Sequence, residues 1–212
     1  TPPCAQKIIS LNFKEVVISN LDPNPEVAGS GVKLLKEAGI KVTTGILEEE
    51  GKILNEVFFT HITKKRPFIH LKWAQTLDGK VATKSYNSKW ITNSSSRENS
   101  HKERNLYDGI LIGNTTANND NPSLTIRLDQ ISCKKRVILS PSLSLSSKLK
   151  LFNDQFKDQT LIVTNKKETS FQGIKTVYSP LADGKLDLNK VLAALYAKGI
   201  CSLYVEAVSY TH

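Results

Sequence analysis

The strongest constraint on the fold of this chain is a series of short apolar runs, each followed by a polar or helical stretch. DGILIG (108–113), KRVILS (135–140), TLIVTN (160–165), IKTVYS (174–179) and CSLYVE (201–206) are rich in Val, Ile and Leu at successive positions. Residues on both faces of such a run are apolar, so both faces must be covered, as in the strands of a parallel sheet. Between the last two runs, DLNKVLAALYAKG (187–199) puts Leu188, Val191, Leu192, Leu195 and Tyr196 on one helical face. Asp187 is its expected N-cap and Gly199 its expected terminator. The alternation predicts an α/β domain built on a largely parallel sheet.

The first 64 residues carry a smaller version of the same alternation. Residues 4–11 read as a helix entered through Pro2-Pro3, and EVVISN (15–20) as a strand. DPNPEVAGSG (22–31) reads as a loop, VKLLKEAG (32–39) as a helix and IKVTTGI (40–46) as a second strand. LEEEGKILNEVFFTHI (47–62) has acidic residues in its first turn and Ile53, Leu54, Val57 and Phe58 on one face, which predicts a single helix. This α-β-α-β-α order is too small for a finished domain. Lys64-Lys65-Arg66-Pro67 is the expected junction, giving units of 1–64 and 65–212. The second unit begins with FIHLKWAQTLDGKVA (68–82), a long strand-like run broken by Asp78-Gly79. NSSSRENSHKERNLY (93–107) follows as a helix, with Ser95 and Glu98 at capping-box spacing. SPSLSLSSKLK (140–150) is serine-rich and reads as a loop.

Composition narrows the function classes. With 39% hydrophobic and 23% charged residues, the chain can bury a core, and no stretch reaches the length of a membrane span. No signal-peptide pattern is visible at the start. Cys4, Cys133 and Cys201 are odd in number and far apart, which argues against a disulfide framework and for a reducing compartment. The net charge of +9 is compatible with nucleic acid, anionic membranes or phosphorylated small molecules. The basic runs Lys64-Lys65-Arg66, Lys134-Lys135-Arg136 and Lys166-Lys167 are short and not interleaved with aromatics, so they read as solvated surface.

The richest chemical stretch is DGILIGNTTANNDNPSLTIR (108–127). Ligands of open parallel sheets bind beyond the carboxyl ends of strands. Small polar residues there can supply phosphate donors, or form no more than a polar loop. The Lys-Ser/Thr of a P-loop is missing. Arg104 and Arg127 flank the stretch; each has the geometry to grip a phosphate, and each alone reads equally as a surface residue. Lys72 lies in an otherwise apolar run and needs an acceptor or an anionic ligand. Trp90 could stack on a flat heterocycle or belong to the core. His61, His70, His101 and His212 have no metal-ligand spacing, and CxxC, HExxH and GxSxG are absent.

At this point longer motifs carry a resemblance. TPPCAQKII, LDPNPEVAGSGVKLLKEAGIKVTTGILEEE and LNEVFF resemble the end of the deaminase domain of the bifunctional riboflavin-biosynthesis deaminase–reductase family. RPFIHLKWAQTLDGKVAT, SKWIT, DGILIGNTTANNDNPSLTIR and SLYVE resemble its reductase domain, in the same order along nearly the whole chain. The resemblance implies the C-terminal remnant of a cytidine-deaminase-like domain, then a dihydrofolate-reductase-like domain with a mostly parallel sheet, incomplete at its C-terminus. In the family, zinc is held by one His and two Cys, with a Glu two residues after the His as proton shuttle. Cys4 resembles the last ligand; the others are not in this sequence. One thiolate cannot hold a tetrahedral zinc, so neither metal nor deamination is expected here.

For the reductase half the resemblance implies NADPH-dependent reduction of 5-amino-6-(5-phosphoribosylamino)uracil to its ribitylamino form. Hydride comes from the nicotinamide, and the protein orients the partners. Carried over by motif, Ala74, Trp90, Thr116 and Asp120 contact NADPH. Ser88, Arg104, Leu124, Arg127 and Glu206 contact the substrate, with Lys72 in the same motif; the two arginines suit its phosphate. No proton donor is assigned. The implied setting is a homodimer in a bacterial cytoplasm, or a plastid, with no nucleic-acid or membrane partner. Two departures stand out: Ala207 and Val208 where the family has a Gly-Gly run, and Tyr86-Asn87 in a loop that is usually smaller and more acidic. A truncated or frame-shifted chain, marginally folded and prone to aggregate, is the expectation that follows. The competing readings are a basic nucleotide- or RNA-binding protein without catalysis, and a reductase of the same fold with a pterin-like substrate.

Overall fold

The computed structural model describes residues 4–84 and 91–206. Tyr86, Asn87, Ser88, Trp90, Ala207 and Val208 therefore lie outside the described residues. The chain divides into two compact units, Thr1–Lys65 and Arg66–His212.

The first unit contains α1 (Cys4–Ser10), β1 (Glu15–Ile18), α2 (Ser30–Glu37), β2 (Lys41–Thr44), α3 (Glu48–Leu54) and α4 (Glu56–Lys64). β1 and β2 pair in parallel, Glu15 opposite Lys41, and these two side chains form an ion pair at 2.9 Å. A small core joins Ala5, Leu35 and Ile40 to Ile8, Ile9, Val16 and Val42. The single helix expected over 47–62 is in fact two. Asn55 breaks it, with φ −110°, and its side-chain amide donates to the Gly51 carbonyl at 2.9 Å. The expected apolar face is exposed: Ile53 by 70% and Leu54 by 84%. A two-stranded sheet is too narrow to cover it.

The second unit runs β3 (Phe68–Lys72), α5 (Ser94–Arg104), β4 (Gly109–Gly113), α6 (Asn114–Asp120), β5 (Ile126–Arg127), β6 (Ile131–Ser132), β7 (Lys135–Leu139), α7 (Lys150–Asn153), β8 (Thr160–Thr164), β9 (Ser170–Phe171), β10 (Ile174–Tyr178), β11 (Leu181–Ala182), β12 (Lys185–Leu186), α8 (Leu188–Tyr196) and β13 (Ser202–Glu206). Seven strands form one sheet in the order β3-β13-β4-β7-β8-β10-β9, parallel except for the β9–β10 pair. β5–β6 and β11–β12 are separate antiparallel hairpins.

Alternate residues of the central strands feed two cores. Ile110, Ile112, Ile138 and Ile162 face one way, packed with Ala117 of α6 and with Leu143, Leu145 and Leu149. Leu111, Val137 and Val163 face the other way, under Val191 and Leu195 of α8. This two-sided cover is why successive positions in the middle of these strands, such as Ile110-Leu111-Ile112 and Val137-Ile138, are apolar. The serine-rich 140–150 segment is irregular, as its composition implies, but its leucines are core residues.

Several local expectations give way. β3 stops at Lys72, because Thr76, Asp78, Gly79 and Lys80 close a turn on themselves. Asn93, not Ser95, caps α5, accepting from the Ser96 amide at 2.9 Å. Asp187 caps α8 as expected, accepting from the Asn189 and Lys190 amides. The polar run after β4 is a helix, α6, rather than a loop. Arg136 is wholly buried, not solvated. Asp154 grips it bidentately at 2.6 and 2.8 Å, and Ser123, Leu151 and Thr160 supply further acceptors. That satisfies its donors, which a buried guanidinium requires.

Candidate functional site

The carboxyl ends of β3, β13 and β4 lie side by side, with β13 in the middle. β13 is the last of these strands in the chain, inserted between the first two. Register pairs Lys72 of β3 with Glu206 of β13, and Tyr204 with His70. Tyr204 also pairs with Ile110 of β4. β4 passes from Gly113 directly into α6, so the polar helix begins at the same sheet edge.

Over this edge, α5 brings Arg104 onto Glu206. The guanidinium donates from Nε to one carboxylate oxygen at 2.5 Å and from Nη2 to the other at 2.9 Å. Nη1 donates to the Thr125 carbonyl at 3.0 Å. Both side chains are about 15% exposed, at 15% and 14%. The resemblance assigns both residues to the substrate, and the structure joins them into one knot. Three of the five N–H groups of Arg104 are thereby committed, which leaves Arg127 as the more available cation. Arg127 is exposed on β5, and no carboxylate pairs with it among the described residues. It meets His101 of α5 instead. The Arg127 amide donates to His101 Nδ1 at 3.3 Å, and Arg127 Nη2 stands 3.4 Å from Nε2.

The other expected residues are placed as follows. Lys72 is partly buried beside Glu206 in the ladder. The Leu124 side chain is buried in the core, so this residue can offer a ligand only its backbone, held at φ 50°. Thr116 is buried and Asp120 half-buried, at the start and end of α6. Ala74 follows β3 and is half-buried. Neighbouring asparagines have a structural task. Asn118 bonds the Ser144 carbonyl and the Ser146 amide, and Asn121 accepts from the Lys150 amide, so they latch the 140–150 segment down. Cys4 is exposed at the start of α1. Among the described residues no three His, Cys, Asp or Glu gather to hold a metal.

Sequence reasoning missed two groups. His101 was passed over for lack of metal spacing, although it lies three residues before Arg104 on the same helix turn. A second cluster sits one step along the strands. His70 stacks on Tyr204 with ring centroids 5.2 Å apart, and His70 Nδ1 is 2.8 Å from the Tyr107 hydroxyl. Burial, then the charges of Glu206 and Glu103, push the Tyr204 phenol up to about 12, so it stays protonated. Two buried hydroxyls, Ser140 and Ser179, have no partner among the described residues. Both follow the carboxyl ends of their strands, β7 and β10.

Residues 67–211 match the model of the RibD C-terminal domain. This chain belongs to the RibD family. It is 44% identical over 176 residues to the riboflavin biosynthesis protein RibD of Aquifex aeolicus, covering 82% of this chain and 49% of that protein. The Bacillus amyloliquefaciens RibD is 37% identical over 219 residues, covering 100% and 58%. The chain thus spans about half the length of the curated relatives it matches. Among solved structures, the Thermotoga maritima diaminohydroxyphosphoribosylaminopyrimidine deaminase/5-amino-6-(5-phosphoribosylamino)uracil reductase superposes with a TM-score of 0.83 at 41% identity, over 98% of this chain and 57% of that one. The α/β architecture with a mostly parallel sheet is that of RibD reductase structures. Among the described residues, no helix is long and apolar enough to cross a membrane.

Proposed function

We propose that the Arg66–His212 unit is a reductase of riboflavin biosynthesis that reduces 5-amino-6-(5-phosphoribosylamino)uracil to the ribitylamino form with NADPH. The observation that carries this reading is the Arg104–Glu206 knot, with exposed Arg127 joined to it through His101 and the Thr125–Arg127 segment. Such a site suits a polar ligand ending in a phosphate: Arg127 meets the anion, while Glu206 keeps Arg104 rigid and accepts from ligand N–H or O–H groups with its free lone pairs. Lys72 adds a second cation beside Glu206.

NADPH fits the same edge. Ala74, Thr116, Asp120 and Trp90 are its expected contacts, and the orphaned Ser140 and Ser179 hydroxyls are buried polar groups that a bound partner would satisfy. When bound, the cofactor supplies hydride; the residues of the chain bind, orient and exclude water. Zinc does not fit the described residues, because Cys4 has no co-ligands among them; residues 1–64 are read as the end of a deaminase domain. A homodimer in a bacterial cytoplasm belongs to the same reading.

The test is a titration of the purified chain with NADPH, with NADH as control, followed by nicotinamide fluorescence. Saturable binding that prefers NADPH is the expected result. A folded chain that binds neither nucleotide would reject the cofactor assignment.

A further inference from the structure

We propose that His101 is a positioning residue for Arg127: as a neutral imidazole it accepts the Arg127 amide at Nδ1 and fixes where that guanidinium stands. This rests on the reading that Arg127 meets the substrate phosphate.

The two contacts of the ring cannot both be hydrogen bonds to a neutral imidazole, which has one acceptor nitrogen and one N–H. The backbone contact is the shorter, at 3.3 Å against 3.4 Å, and involves an amide whose direction the strand fixes. It assigns the acceptor role to Nδ1 and the proton to Nε2, so the 3.4 Å approach of Arg127 Nη2 to Nε2 is a contact and not a hydrogen bond. The groups facing the ring favour the neutral form. Burial, then the charges of Arg104 on the same helix and Arg127 on β5, hold His101 below its ordinary 6.5, while Glu206 on β13 and the Thr125 carbonyl oppose them. A lowered pKa means that the ring is neutral at pH 7 and gains its second proton only under more acid conditions. Protonated, Nδ1 would present an N–H to the Arg127 N–H, a donor against a donor. The Thr125–Arg127 segment, which also carries the carbonyl bound by Arg104, would then shift. The site thus holds a pH-sensitive support for its available arginine, made from a residue that need not touch the ligand.

The experiment uses the full chain with D-ribose 5-phosphate as probe, measured by calorimetry from pH 5 to 8 in wild type, His101→Ala, His101→Gln and Arg127→Ala. Ratios of variant to wild type at each pH cancel the ionisation of the probe itself. His101→Ala is expected to weaken binding about 5- to 10-fold at pH 7.5, the worth of one hydrogen bond at the site. His101→Gln, whose amide oxygen can accept the same N–H, is expected to recover to within about 3-fold and to lose the extra weakening of wild type at acid pH. If Arg127→Ala weakens the probe and His101→Ala does not, the positioning role is overturned while the phosphate reading stands. If Arg127→Ala binds as wild type does, the phosphate reading falls and takes the inference with it. Nitrogen-15 imidazole shifts of the wild-type protein give an independent check that does not depend on the variants folding. They are expected to show protonated Nε2 and bare Nδ1 at pH 7.5; the opposite tautomer would overturn the proposal.

Discussion

Arg104 and Arg136 look alike in sequence and perform different tasks. Arg136 is fully buried, with its donors divided among Asp154, Ser123, Thr160 and Leu151. Replacing it with Ala leaves the Asp154 carboxylate without its counter-charge, and about 3–5 kcal/mol of stability is expected to be lost, measured by urea denaturation. Arg104 sits at the sheet edge, and its partner Glu206 is expected to touch the ligand. Glu206→Gln keeps the shape but leaves a cation uncompensated. A roughly 10-fold loss of affinity for the phosphorylated pyrimidine is expected by calorimetry, together with a lower melting temperature because the pair is largely buried. Affinity equal to wild type would remove Glu206 from the site. The sequence does not distinguish these arginines because the deciding acceptors are distant in the chain: Glu206 lies 102 residues from Arg104 and Asp154 lies 18 from Arg136. His101 was hidden for the same reason, since its partner on β5 is 26 residues away.

At the scale of elements, the strands were the most legible part. Their β-branched, apolar-rich runs reflect cover on both faces, and the observed strands fall within the predicted runs at 108–113, 135–140, 160–165, 174–179 and 201–206. Short polar elements were not legible. Asn114–Asp120 contains residues that favour turns, and it is helical because Ala117 and Thr116 are buried there and Asn118 and Asn121 fasten the next segment. Strand order was also beyond sequence reading, since nothing local says that β13 enters between β3 and β4. Gly109 records that insertion. A Cβ there would stand 3.0 Å from Leu203 Cδ2 and 3.3 Å from the Lys135 carbonyl, between the neighbours β13 and β7. Gly109→Ala is therefore expected to destabilise the sheet by about 1–3 kcal/mol. An unchanged denaturation midpoint would show that β4 has slack there.

At the scale of the whole molecule, the two units differ in how well they are covered. The larger has two apolar cores around a seven-stranded sheet. The smaller has a two-stranded sheet, a core of a few residues, and exposed Val17, Leu47, Ile53, Leu54 and Phe58. Unequal burial predicts unequal stability. Heating is expected to give two transitions, the first belonging to residues 1–65, and limited proteolysis should leave a resistant fragment beginning near Arg66. One sharp transition with simultaneous loss of both units would contradict this.

The insertion of β13 has a bearing on how such a chain leaves the ribosome. Among the described residues β3 is hydrogen-bonded to the sheet only through β13, and the Cys201 carbonyl receives the Phe68 amide. During synthesis β4, β7, β8 and β10 can pair as they emerge, while β3, made before all of them, has no neighbour until some 130 further residues have been added, given the usual vectorial order. Arg104 likewise waits for Glu206. Among the described strands the ligand-facing edge is thus the last to close, and a nascent chain paused before residue 202 would hold β4, β7, β8 and β10 paired with no site.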